Sequence, residues 1–301
     1  MRTTRTIPMK NMICTMTIAA MALAAGAANA GQIYATNTLA NNADNADDLI
    51  VFDSSNPAGY SVIGSLGVSG ISFGGLDFDS SGNLFGYASL YRNTGGAASG
   101  LYSIDTNTGA ATLIGDSGQT MQDLAYNPVD NKMYGINTRF GQQSTLFTVD
   151  MQTGDVTDLG LMQGLPEQHH LGGLSITSTG QFIVHDVVTD SFYSGSTMTF
   201  SHLLDLTQDT GYSQGMTIDW SRGDIGYHGA VGQADFPNYF STLNTFNPDG
   251  SSYSIGDAFG PNDIDGVPPV QVGDLAIRPV PAPAGFFLLL GGAAASTRRR
   301  R

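Results

Sequence analysis

The sequence predicts an all-β fold, a β-propeller of about five four-stranded blades whose ring is closed by strands from both ends of the propeller region. Three observations predict it. Short apolar stretches alternate at period two between turns of Gly, Asn, Asp and Pro. One such stretch recurs five times, at spacings of 48, 50, 42 and 59 residues. The first and last copies are incomplete in complementary ways.

The unit is clearest between Gly100 and Asn137. Its first strand recurs as Leu76 to Phe78, Leu124 to Tyr126, Leu174 to Ile176, Met216 to Ile218 and Leu275 to Ile277. Gly75, Asp123, Gly173, Gly215 or Asp274 precedes each copy. Strand two follows four of them, as Leu84 to Tyr87, Met133 to Ile136, Phe182 to His185 and Ile225 to His228. Strand three begins at Leu49, Leu101 and Leu146 and ends on Asp, with weaker versions near Phe192 and Tyr239. Strand four is Tyr60 to Gly64, Ala111 to Gly115, Val156 to Gly160 and Tyr253 to Gly256. The last copy stops after strand one, whereas the region opens on an orphan strand two, Gln32 to Thr36. One blade is therefore expected to be split between the ends, which removes open sheet edges. The irregular fourth copy leaves six blades open, and an open solenoid or a sandwich would carry similar spacing.

The ends read as processing segments. Residues 1–30 carry basic Arg2, Arg5 and Lys10, an apolar stretch from Met12 to Ala25, and Ala28-Asn29-Ala30, the pattern of a secretory signal peptide. Cys14 lies inside it, so the chain after residue 30 has no cysteine to form a disulfide. Residues 280–301 comprise Val280-Pro281-Ala282-Pro283, an apolar run from Ala284 to Ala295, and Arg298, Arg299, Arg300 and Arg301. The run is short for a membrane span, which needs about 20 residues. Arginines after it would hold that end in the cytoplasm, a transient inner-membrane anchor. Residues 31–279 are left as the propeller domain.

This three-part tail resembles the PEP-CTERM sorting signal of exopolysaccharide-producing Gram-negative bacteria. There a Val-Pro-Glu-Pro-like motif precedes an apolar helix and a basic end, and an exosortase processes it. Ala282 stands in place of the usual Glu. The resemblance covers only residues 280–301, so it implies a cell-surface or secreted address and an exosortase-type processing partner, and no activity.

Charge narrows the partners. Without Arg2, Arg5, Lys10 and the four terminal arginines, five basic residues remain against 26 acidic ones, a net of −21. Glu167 is the only glutamate. Such a chain is not expected to bind nucleic acid or anionic lipid, both of which need basic surface. It suits neutral sugars and divalent cations, and equally a surface kept soluble by its charge.

In a propeller the one-to-two and three-to-four turns share one face, and here they are short. The two-to-three and four-to-one connections share the other. They are long at Asn37 to Asp48, Arg92 to Gly100, Leu161 to Gly172, Gly229 to Pro237 and Asp257 to Gly273. Insertions on a rigid scaffold mark the expected functional face. The candidate ligand-binding residues are Asp123, Asp274, His169, His170, His185 and His228. A ring of them at the channel mouth could hold a metal and activate water, although no metal-ligand spacing is present. Asp44, Asp47, Asp48, Asp257, Asp263 and Asp265 on long loops suit a structural Ca²⁺ better. No other cofactor is expected.

Two motifs read as structural. Asp77-x-Asp79-x-Ser81-Gly82 resembles the start of a calcium loop but lacks its closing Glu, and it falls on a hairpin turn shared by the copies. Trp220 follows a strand one and suits packing between blades, or stacking on a sugar. No nucleophile elbow, catalytic cysteine or phosphate loop is present. The expected function is therefore a secreted, non-enzymatic module for exopolysaccharide or a surface protein. The alternative is a metal-dependent propeller hydrolase or lyase working at the channel mouth.

Overall fold

Alternating strands of this kind bury one row of side chains on each face of a sheet, and a blade packed between two others buries both. The computed structural model describes residues 31–38, 46–89, 98–138, 142–232, 241–259 and 271–279. The leader at 1–30, the tail at 280–301, Asp44, Asp263, Asp265 and Tyr239 lie outside them.

The chain opens with β1 (Gln32–Asn37), β2 (Asp48–Asp53) and β3 (Asn56–Ser65). Four strands follow as β4 (Ser72–Phe78), β5 (Leu84–Ser89), β6 (Gly100–Ile104) and β7 (Ala111–Asp116). Then come β8 (Asp123–Asn127), β9 (Lys132–Asn137), β10 (Thr145–Val149) and β11 (Val156–Leu161). The next four are β12 (Leu171–Ile176), β13 (Phe182–Asp186), β14 (Ser191–Ser196) and β15 (Thr199–Asp205). The chain finishes with β16 (Thr210–Asp219), β17 (Ile225–Gly232), β18 (Ser241–Phe246), β19 (Tyr253–Ser254) and β20 (Val272–Ile277).

These strands form five four-stranded antiparallel sheets, a five-bladed propeller. Blade 1 has the order β20-β1-β2-β3, so the last strand is innermost and pairs with the first. Ile33 lies opposite Ile277, and Ala35 opposite Leu275. Blades 2 to 5 are β4–β7, β8–β11, β12–β15 and β16–β19, each running outward from the axis in chain order. Closure between the ends is thus as the orphan strands predict.

Five hydrophobic clusters correspond to the five blade-to-blade interfaces. Tyr34 meets Phe78 edge-on at 5.3 Å between blades 1 and 2. Tyr87, Leu124 and Tyr126 fill the gap between blades 2 and 3. Tyr134 meets Phe182 at 4.9 Å between blades 3 and 4. Phe192 meets Phe246 at 4.7 Å between blades 4 and 5. Phe52 meets Phe259 at 5.0 Å where blade 5 returns to blade 1.

The repeated turns are built alike. The Asp79 carboxylate accepts the amides of Ser81 and Asn83 at 2.9 and 2.8 Å, with Gly82 at φ 82°. Asp105 and Asp150 do the same for Asn107 and Gln152. The glycine ending strand four has a different cause. A Cβ on Gly115 would lie 2.0 Å from the Thr153 carbonyl oxygen of the next blade's turn.

The irregular fourth blade is regular in three dimensions. Its strand three reads only weakly, near Phe192, and no strand four is read, yet β14 and β15 form a full hairpin with Ser196 opposite Thr199. Its tight turn lacks the Asp-to-Gly turn of blades 2 and 3, Asp105–Gly109 and Asp150–Gly154. The connection at 162–170 folds back along β15, where Gln163 bridges to Thr199, covering an outer edge.

Leu275 is fully buried in the closing strand, and Leu113 on β7 is 45% exposed. Leu275→Ala should cost about 3 kcal/mol, and Leu113→Ala less than about 0.5 kcal/mol. Equilibrium chemical denaturation measures both.

Candidate functional site

The inner strands β4, β8, β12, β16 and β20 surround the axis, where water is scarce and backbone amides still need acceptors. Side chains reach across to supply them. Asp123 in blade 3 accepts the amide of Leu174 in blade 4 at 2.5 Å and that of its own neighbour Leu124 at 2.6 Å. Asp77 in blade 2 accepts Tyr126 of blade 3 at 2.7 Å and Phe78 at 2.8 Å. Thr217 in blade 5 accepts Ile277 of blade 1 at 3.0 Å. Asp274 in blade 1 accepts Leu275 at 2.7 Å and is approached by the Leu76 amide of blade 2. Three of the five blade steps are therefore hydrogen-bonded by an inner side chain, and at a fourth the Asp274 carboxyl faces the Leu76 amide.

Asp123 and Asp274 also meet each other across the axis, from blades that are not neighbours. Both are fully buried. Burial pushes both carboxyls well above the usual carboxylate range. Two like charges cannot both persist there, so the pair retains a proton. The proton belongs on Asp274. Its Oδ2 has no amide or hydroxyl donor, whereas both oxygens of Asp123 already accept amides. Space for the pair comes from glycine. Gly215 sits at φ 82°, and a Cβ there would lie 1.6 Å from Asp274 Oδ1.

A small cavity of about 50 Å³ opens at the short-turn end of the axis. Asp77, Ser175, Thr217, Asp219, Trp220 and Ile277 are among its walls. Asp77 is pushed up to about 7, chiefly by burial and against the pull of its two amides. Ser175 Oγ and Asp219 Oδ2 are buried without a hydrogen-bond partner. Trp220 donates its indole N–H to the Ile176 carbonyl at 2.9 Å and lies 6.2 Å from the Tyr126 ring, joining blades 3, 4 and 5. Trp220 packs between blades.

The six candidate residues do not form one ring. Asp123 and Asp274 come together on the axis. His185 on β13 and His228 on β17 come together one strand outward, their rings 4.4 Å apart between blades 4 and 5. Both are fully buried. Burial drives His185 well below the ordinary imidazole value and His228 down to about 3, so both are neutral. His169 is built into a loop, its Nδ1–H donating to the Pro166 carbonyl at 2.6 Å and its Nε2 accepting the Ser144 amide at 3.1 Å. His170 is half-buried, with its amide donating to Asp186 at 2.8 Å. Among the described residues no three His, Cys, Asp or Glu side chains converge as metal ligands. Asp77 was hidden by its motif. It belongs to the inner strand and not to the turn of Asp79. The signal was a charge at a position where the other copies carry Ala125, Ser175, Thr217 and Ala276.

Comparison with known proteins agrees with a repeat fold. A model described as a domain of unknown function (DUF4394) matches residues 6–125, and one described as a repeat of unknown function (DUF6923) matches residues 87–223. Each spans less than half of the chain. No curated protein matches it. A chain in the crystal structure of a nidogen/laminin complex superimposes with a TM-score of 0.50 and 9% identity, over 82% of this chain and 98% of that one. A structural genomics protein of unknown function from Bacteroides thetaiotaomicron does so with a TM-score of 0.50 and 14% identity, over 84% of this chain and 68% of that one. These likenesses are of fold alone.

The axial carboxyls and the paired histidines act on stability in opposite directions. Asp77, raised to about 7, stabilises the fold fully below about pH 4 and loses that contribution as pH rises through about 7. His228, lowered to about 3, stabilises it fully above about pH 6.5 and loses that contribution as pH falls toward 3. Denaturation across pH should show stability falling on both sides. Asp77→Asn should flatten the alkaline limb, and His228→Gln the acidic one. At neutral pH Asp123→Ala should cost about 3 kcal/mol. Asp274→Asn keeps a donor toward Asp123 and should stay within about 1 kcal/mol of the parent.

Proposed function

We propose that the chain is a secreted, non-enzymatic propeller of a Gram-negative cell surface that binds extracellular polysaccharide or a surface protein. The observation that carries this reading is the sealing of its chemically capable side chains. Asp123, Asp274, His185 and His228 each have 0% exposure, and a catalytic group has to touch its substrate. The axial carboxylates are engaged in joining blades, and the imidazoles are packed among aromatic rings. Contact is left to an acidic, aspartate-rich surface and to the two-to-three and four-to-one connections, which suit neutral sugars or a basic protein patch.

The address follows from the ends. The leader-like residues 1–30 and the PEP-CTERM-like tail at 280–301 support export, transient anchoring in the inner membrane and handling by an exosortase-type enzyme. A Ca²⁺ ion held by aspartates of the long connections would be structural in this reading.

Exported protein should be retained by the exopolysaccharide of its own producer on affinity gels, or capture a surface protein in pull-downs. Substitutions on the two-to-three connections should weaken retention about tenfold without altering the melting temperature, a loss of about 1.4 kcal/mol of binding. Turnover of ester or glycoside substrates, abolished by chelator, would overturn the reading.

A further inference from the structure

We propose that cleavage between Ala30 and Gly31 creates an α-ammonium at Gly31 that forms a buried ion pair with Asp219, so that removal of the leader locks the closing blade to its neighbour. The proposal rests on the secretion reading. Its structural basis is a carboxylate with unmet chemistry beside the first described residue.

Asp219 ends β16 in blade 5 and is 3% exposed. Its Oδ1 is occupied, accepting the Ser221 amide at 2.9 Å and the Ser221 hydroxyl at 2.5 Å to cap the short 3₁₀ turn Trp220–Arg222. Its Oδ2 is buried with no partner. Among the described residues no side-chain cation neutralises it. Lys132, Arg222 and Arg278 are the basic residues among those described, and none forms an ion pair with it. Arg222 donates to the Tyr227 hydroxyl at 3.2 Å, and Arg278 donates to Thr106 at 2.8 Å. A buried, unpaired carboxylate oxygen is costly.

Gly31 lies against that oxygen. An ideal Cβ on Gly31 would be 2.9 Å from Asp219 Oδ2 and 2.4 Å from Ile277 Cδ1, so the residue is packed directly against both side-chain ends. A Cβ lies about 2.5 Å from its own backbone nitrogen, which puts the Gly31 nitrogen within about 5.4 Å of the carboxylate oxygen. The Gly31 carbonyl accepts the Ser54 amide at 3.0 Å. One end of the residue is thereby pinned and the nitrogen end is free to swing once the preceding peptide bond is cut. Hydrolysis of the Ala30–Gly31 amide by water leaves a carboxylate on Ala30 and an amine on Gly31. That amine takes up a proton at neutral pH and offers three donors where the peptide offered one. The site reads the position of cleavage, because an added residue would move the charge away from Asp219.

The test is a two-by-two comparison of melting temperature. One axis is the N-terminus, with the chain beginning at Gly31 against the same chain carrying one extra alanine before it. The other axis is Asp219→Asn, which preserves the turn cap and removes the charge. The pair predicts that Asn lowers the melting temperature of the Gly31 chain by roughly 5–10 °C and that of the extended chain much less. Nα-acetylation of the Gly31 chain, which keeps its length, should mimic the extension. Equal effects of Asn in both chains would overturn the ion pair. Intact mass of the exported protein separates this from the secretion reading. A start at any residue other than Gly31 overturns the lock but leaves export standing. Failure to leave the cell overturns the secretion reading, and chains released from a fusion at residue 31 still decide the ion pair.

Discussion

The fold depends on satisfying backbone amides where the five inner strands converge. None of these strands pairs with another, because each belongs to a different sheet. What couples blade to blade at the centre is the side chain that crosses to the next strand's amide, from Asp274, Asp77, Asp123 and Thr217. The fourth step has Ser175 in the equivalent place, and its hydroxyl is unpartnered. The same places demand glycine beside the aspartates, because Asp274 occupies the volume that a side chain at Gly215 would need.

This arrangement explains why an aspartate-rich chain devotes some of its most reactive groups to structure. A carboxylate that accepts two amides joins strands strongly, yet burial raises its proton affinity. Meeting across the axis, Asp123 and Asp274 resolve the conflict by keeping one proton. The neutral histidine pair resolves the opposite conflict in the outer interface by losing its charge. The molecule thus carries acid-favouring groups at its centre and acid-sensitive groups between blades 4 and 5.

Much of the fold was legible because its signals are local. Period-two alternation and Asp-to-Gly turns repeat wherever hairpins repeat, and the split blade follows from the orphan strands at Gln32 and Leu275. Blade 4 was less legible because β14 and β15 are joined by a two-residue turn without the repeated motif. The site was read less well. Six residues placed near the channel by position separate into an axial pair, an interface pair and two loop histidines. Strand order alone does not say which neighbours share an interface or how far from the axis they lie.

The sequence by itself determined the strand class, the blade period, the closure and the acidic balance, since each depends on residue spacing or composition along the chain. Tertiary structure decided which of the aspartates are turn caps and which are axial bridges. Asp77 and Asp79 are two residues apart, yet one is an inner-strand acceptor for Tyr126 and the other caps an exposed turn. It also brought Gly31 against Asp219, residues 188 positions apart in the chain. Those roles depend on which blade stands beside which, and only the closed ring fixes that.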